Sequence, residues 1–407
     1  MQIISNYVCG MDVHKNSITA CVLTPKKKEV RTFGTMTDEL LLLVDWVMSN
    51  SCSHVAMEST GVYWKPIYNL LELEPSIETY VVNAQHIKQV PGRKTDVKDS
   101  EWIADLLKHG LLKPSYIPNR DQRELRELVR YRRSLIDEKA RESNRIQKVL
   151  EGANIKLGSV ATDILGVSGR LMIRQLIDGE ANPETLAQLA KKQLRKKIVL
   201  LQRSLAGLIG SHQKFMLKCQ LDHIESLEQQ IKKLDAEIKD RLHSTTEDLE
   251  RLDSIPGVGL QTAQQIIAEI GPDMTRFQSA AHLASWAGMA PGQNESAGKK
   301  KAARTRDGNK YLRSALIESA ASAIRKKDSY LSAKYYRLKR RRGTKKARVA
   351  IAHQILVIVY HLLTRKEDYK ELGSSHYDQQ ASEVKKRKAL KQLKSLGYEV
   401  SISTHSA

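Results

Sequence analysis

The chain has 407 residues, with 67 Lys and Arg against 46 Asp and Glu for a net charge of +21, and 41% hydrophobic residues. That is length for two or three domains. Its longest apolar runs, Leu40 to Val44 and Ile355 to Tyr360, fall far short of the roughly 18 residues a spanning helix needs, so no membrane partner is expected. The start, Met1 to Gly10, lacks a basic region, a long apolar core and a cleavage site, which points to a cytoplasmic protein. Cys9, Cys21, Cys52 and Cys219 form no C-x-x-C pair, which argues against zinc and disulfide scaffolds and reads them as small buried hydrophobes. A pI near 9.7 calls for a polyanionic partner, with nucleic acid foremost.

In chain order, Tyr7–Asp12, Ile18–Leu23 and Glu29–Thr35 read as three strands of a meander, split by His14-Lys15-Asn16 and then by Pro25 and three lysines. A helix over Asp38–Met48, capped by Thr37, a strand His54–Glu58, a helix from about Pro66 to Leu73 and a strand Thr79–Val82 follow. A meander followed by alternating helix and strand is a mixed-sheet α/β domain, expected over residues 1–113 and closed by Pro114 and Pro118.

Residues 114–245 read as helical. Leu217, Leu221, Ile224, Leu227, Ile231, Leu234 and Ile238 recur at steps of three and four, the pattern of a coiled-coil seam that would join protomers or domains. Residues 246–366 read as an all-α domain with helices at Ala280–Ala287, Lys310–Ile324 and Ala347–Leu363. It opens on Ser254-Ile255-Pro256-Gly257-Val258-Gly259, the form of a helix-hairpin-helix. There Gly257 and Gly259 allow a tight turn offering backbone N–H groups to a phosphate; a plain helix–helix turn has the same sequence. Residues 367–407 read as a loosely ordered polar tail.

The charge is concentrated. Between Lys299 and Arg348 stand 19 Lys and Arg, among them Lys300, Arg304, Arg306, Lys310 and Arg313, against Asp307, Glu318 and Asp328, a net +16. A solvated helix face gives such a run too, but Tyr311, Tyr330, Tyr335 and Tyr336 interleave with the cations, as suits contacts to phosphates, sugars and bases.

Asp12 ends the first strand, Glu58 ends the fourth, and Asp96 and Asp99 open a helix beside the basic Arg93-Lys94. An i, i+3 pair shares a helix face, so four carboxylates can converge. Such a cluster repels itself unless hard cations neutralise it, and Mg²⁺ or Mn²⁺ suits oxygen ligands. Two ions about 3.5–4 Å apart would polarise a phosphodiester. Each acid also has a structural alternative: Asp96 as a helix cap with Asp99 on the dipole, Asp12 in a turn, Glu58 at a strand end.

Gly10-Met11-Asp12-Val13-His14-Lys15, Met57-Glu58-Ser59-Thr60-Gly61-Val62-Tyr63 and Arg93-Lys94-Thr95-Asp96-Val97-Lys98-Asp99 resemble the RuvC-like (RNase H-like) DEDD domain of one class of bacterial insertion-sequence transposases. Ile255 to Gly259, Trp286-Ala287-Gly288-Met289-Ala290-Pro291, Glu295-Ser296-Ala297-Gly298 and Gly308-Asn309-Lys310-Tyr311-Leu312-Arg313 resemble the second domain of that family. The resemblance implies a recombinase acting on donor and target duplex DNA, guided by a structured non-coding bridge RNA. It implies that Asp12, Glu58, Asp96 and Asp99 coordinate Mg²⁺ and that Ser296 forms a phosphoserine link to the cut strand. It also implies a dimer-to-tetramer assembly in which one protomer's carboxylates meet another's serine, at the nucleoid. Ala297 stands where many relatives have glycine, and the chain beyond about Lys366 lies outside the resemblance.

From the residues alone, no histidine follows Ser296 closely, so activation through the carboxylate site is the simplest choice, with Lys299, Lys300, Arg304 and Arg306 offsetting phosphate charge. A junction-resolving nuclease that uses metal and water keeps the carboxylates and drops the serine. An architectural nucleic-acid binder drops both.

Overall fold

The computed structural model describes residues 3–59, 61–83, 96–290, 295–296, 299–300, 305 and 307–398. The chain divides into two compact units, Met1–Asn119 and Arg120–Ala407.

The first unit is a five-stranded sheet with helices on both faces. Strands β1 (Val8–Val13), β2 (Ser17–Leu23) and β3 (Lys28–Gly34) form the meander. Strands β4 (His54–Glu58) and β5 (Glu78–Val82) run parallel to β1, and the order is β3-β2-β1-β4-β5. Helix α1 (Thr37–Ser49) starts one residue earlier than its sequence suggests: Thr37 is its first residue, and the cap position is Met36, without a side-chain cap bond. Helix α2 (Trp64–Leu71) precedes β5, and α3 (Asp96–Lys108) follows it.

Strand parity decides which residue meets which helix. Cys9, Met11 and Val13 of β1 join Val55 and Met57 of β4 in a core with Leu43 and Val47 of α1 and with Ile67 and Leu71 of α2. The alternate residues, Val8 of β1 and Ala56 of β4, pack with Ile103, Ala104 and Leu107 of α3 on the opposite face. Gly10 belongs to this second set, and a Cβ there would overlap the amide nitrogen of Ala104 and the carbonyl oxygen of Ser100. Helix α3 therefore rests on β1 backbone to backbone. At its far end the Lys108 carbonyl accepts from the Ile4 amide at 3.0 Å, so α3 runs antiparallel to β1 and its start lies toward the Asp12 end.

The second unit is helical. Helix α4 (Arg120–Gly152) packs along α6 (Ser211–Arg241), with α5 (Val167–Asp178) and three shorter helices closing a core between them. Ion pairs fix the α4–α6 register: Arg241 to Glu124 at 2.9 Å, Arg132 to Asp235 at 2.8 Å and Lys139 to Glu228 at 2.7 Å, an antiparallel ladder. The apolar repeat of α6 is used within the chain, since Leu217, Leu221, Ile224, Leu227 and Ile238 are buried.

Helices α7 (Thr246–Asp253), α8 (Leu260–Ile270), α9 (Ala280–Trp286), α10 (Lys310–Ala323), α11 (Tyr330–Arg342), α12 (Thr344–Arg365) and α13 (Gly373–Ser395) complete the unit. Helix α12 is long and apolar enough by composition to cross a membrane, but it opens with Lys345, Lys346 and Arg348. Its Ile351, Ile355, Leu356, Val359 and Leu363 are buried within the unit. Helix α13 falls where the sequence suggests a loose tail; its Lys, Glu, Gln and Ala content favours a helix even without a strong apolar stripe.

Substituting Gly10→Ala forces α3 off β1 and is expected to lower stability by about 1–3 kcal/mol. Chemical denaturation followed by circular dichroism measures it.

Candidate active site

Strand β4 pairs with β1 in parallel register with Met11 opposite Met57. One step further along both strands stand Asp12 and Glu58, on the face covered by α3. Asp12 is only 9% exposed, and its Oδ2 lies 3.1 Å from Nε2 of His14. Its carboxyl is held above the usual range for an aspartate. Burial is the main cause, the neighbouring His14 partly offsets it, and the negative charges of Asp99 and Glu58 raise it further. Two of the other predicted acids, Glu58 and Asp99, thus lie near enough to Asp12 to act on it electrostatically. Asp96 is the first residue of α3, one turn before the Ser100 contact to Gly10.

Oxygen donors crowded at the edge of a sheet, one of them buried and resisting ionisation, fit a hard divalent cation, which would reverse the repulsion. Among the described residues, no group of three or more acids, histidines or cysteines is drawn tightly enough to hold a metal ion. Asp12, Glu58 and Asp99 are therefore near one another without being closed into a ligand set.

The serine lies in the second unit. Glu295–Ser296 and Lys299–Lys300 form a two-residue antiparallel ladder, with Ser296 opposite Lys299. The loop carrying it is pinched at its base, because a Cβ on Gly308 would overlap the amide of Gly288. Gly288 itself has φ of +67°, a conformation glycine adopts without strain. Directly after the pinch, the Asn309 side chain caps α10 by accepting from the amides of Tyr311 and Leu312, both at 3.1 Å. The same side chain donates to Oε2 of Glu269 at 2.6 Å.

Glu269 is completely buried. Arg130 binds both its oxygens, at 2.7 and 2.8 Å, and stacks its guanidinium 4.2 Å over the Tyr311 ring. Arg126 donates to the carbonyls of Ala268 and Glu269 at the end of α8. One buried carboxylate so ties α4, α8 and the cap of α10 together at the root of the serine loop. Sequence reading passed over it. The available signal was a lone acid in Ile266-Ile267-Ala268-Glu269-Ile270, an otherwise apolar stretch of helix, with arginines at Arg126 and Arg130 one turn apart.

The basic candidates are dispersed. Lys299 and Lys300 form the second strand of the ladder. Lys310 is exposed, with its ammonium 5.1 Å from the Tyr311 ring, and Arg313 reaches the Gly288 carbonyl at 3.4 Å. Gly257 has φ of +86°, and a Cβ there would overlap the backbone of Ser319 and Ala323 in α10, so its role in the structure is close packing. Gly259 caps α8 with open space around it. Arg93, Lys94, Arg304 and Arg306 lie outside the described residues.

Residues 9–155 match the transposase family DEDD_Tnp_IS110, and residues 249–337 match the transposase IS116/IS110/IS902 family. The chain is 25% identical to a transposase for insertion sequence element IS1111A of Coxiella burnetii, over 89% of this chain and 91% of that protein. It is 24% identical to a pilin gene-inverting protein of Moraxella lacunata, over 88% of this chain and 96% of the relative. It is 26% identical to an uncharacterized IS110 insertion-element protein of Streptomyces coelicolor, over 67% and 71% of the two chains.

The Glu269 network makes its own prediction. Glu269→Gln keeps the shape and removes the charge that Arg126 and Arg130 face, so stability is expected to fall by about 2–3 kcal/mol. A urea unfolding midpoint reports it.

Proposed function

The chain belongs to the IS116/IS110/IS902 family of transposases and is an enzyme of DNA recombination, and from that premise we propose that it cuts and rejoins DNA through a serine-linked intermediate. In this reading the Ser296 hydroxyl attacks a phosphodiester phosphorus. An Oγ–P bond forms, the bond to a sugar oxygen breaks, and the serine's proton ends on the departing oxygen. Rejoining reverses the exchange with a new sugar hydroxyl, so no nucleotide is hydrolysed, in keeping with the absence of a G-x-x-x-x-G-K-[ST] loop from the sequence.

Asp12, Glu58, Asp96 and Asp99 would hold Mg²⁺ or Mn²⁺, as two ions, and the bound cations would polarise the phosphodiester. The observation that carries the reading is the electrostatic coupling of the buried Asp12 to Glu58 and Asp99 on one face of the sheet. The pinched, buttressed base of the serine loop supports it from the second unit, because a nucleophile needs a fixed point of attachment. Lys299, Lys300, Arg304, Arg306, Lys310 and Arg313, with Arg93 and Lys94, would meet phosphates, and the turn at Gly257 and Gly259 would act as a helix-hairpin-helix.

Donor and target DNA as duplexes, a structured guide RNA, a dimer-to-tetramer assembly aided by the long helices, and a place at the cytoplasmic nucleoid complete the proposal. In this proposal one protomer's carboxylates meet another protomer's serine.

Two results test this. Ser296→Ala is expected to abolish covalent protein–DNA adducts on labelled DNA while leaving DNA binding within about twofold; cutting that survives the substitution would mean that water is the nucleophile. Mg²⁺ is expected to raise the thermal midpoint of the wild-type chain and not that of Asp12→Asn, since only a folded ligand set gains from the ion.

A further inference from the structure

Beside the serine loop, the second unit contains a cleft of about 860 Å³ that the reading above leaves unused. Its size falls within the roughly 300–1,000 Å³ of small-molecule sites. Met289 and Thr305 line it from the two sides of the loop, Arg313 from α10, Lys334 from α11, and Lys345 and Lys346 from the start of α12. Val349 and Ala350 form an apolar wall, with His353 and Gln354 one turn further along.

Three features of this cleft call for a ligand. Four cations face it and, among the described residues, no carboxylate lines it, so none of those residues offsets their mutual repulsion. Lys345 and Lys346 occupy the first turn of α12, where the helix dipole disfavours positive charge, and no acid accompanies them there. Lys334 is half-buried, with its ammonium held by the Gln354 carbonyl oxygen and facing the Tyr330 ring at 5.5 Å. Burial lowers the pKa of Lys334, and burial together with the Lys334 charge lowers that of His353. A free phosphate would satisfy the cations but leave the partly exposed Val349 and Ala350 wall uncovered. A base pair inside a duplex offers only its edges.

We propose that this cleft receives one nucleotide of an unpaired strand, its phosphate among Arg313, Lys345 and Lys346 and its base against Val349 and Ala350, with Gln354 at the base edge. The inference rests on the transposase reading for its ligand class and extends it by giving the strand next to Ser296 a seat. An extruded base held there fixes the register of the backbone that follows it.

The full chain is titrated by fluorescence anisotropy with a short oligothymidylate, the matching oligouridylate and a DNA duplex. Val349→Trp fills the cleft without changing charge, and Lys334→Met removes the buried cation at similar bulk. Both are expected to weaken binding of the single strands by about tenfold, while duplex binding stays within about twofold. Tighter binding of the oligothymidylate assigns the nucleotide to a DNA strand, and tighter binding of the oligouridylate assigns it to RNA; either supports the cleft. Should Val349→Trp not fold, Lys334→Met carries the comparison. Unchanged single-strand binding in the folded variants overturns the proposal, as does an equal loss for single strand and duplex, which is the behaviour of a general basic surface. Neither of those outcomes touches the adduct assay on Ser296, so the transposase reading stands or falls separately.

Discussion

Helix α3 lies against β1 with no side chain between them at Gly10, and the neighbours Ala56 and Ala104 are small enough to let it stay there. That approach sets the depth at which Asp12 sits. With a bulkier residue at position 10 the helix would ride outward, and the start of α3 would no longer overlie the ends of β1 and β4. Parallel pairing of β1 with β4 supplies the second constraint, because it brings Glu58 level with Asp12 on the same face. The carboxyl of Asp12 is held up mainly by its burial, and the nearby charges of Asp99 and Glu58 add to that.

The second unit solves a different problem. The segment that carries Ser296 is held at its base. The Gly288–Gly308 contact closes the loop, Asn309 turns its exit into α10, and Glu269 fixes Asn309 to α4 through Arg130. Because Glu269 is fully enclosed, its paired arginines keep their geometry against solvent competition in a way a surface pair does not.

Much of the first unit was legible in the sequence, because its strands are short β-branched and apolar runs bounded by turn residues, and each appears within a residue or two of its expected place. The mixed sheet beside a largely helical remainder was readable for the same reason. The α6 repeat was seen, but periodicity names only a buried face and not what covers it; within the chain, α4 covers much of it. Helix α11 went unseen beneath its charge, since Lys and Arg are good helix formers whose run reads first as a surface. Glu269 stood out only as a lone acid in an apolar stretch, and its partners are arginines more than a hundred residues away. The acids were singled out by order and spacing, while the placing of Glu58 level with Asp12 comes from strand register, which no local pattern encodes.

The central claim is that these acids form one cation site. Diffraction from crystals of the full chain soaked in Mn²⁺, with data collected at the manganese edge, tests it most directly. The account predicts anomalous density bounded by the carboxylates of Asp12, Glu58 and Asp99. Density confined to other acidic residues, or none at a Mn²⁺ concentration that supports strand cleavage in solution, would contradict it.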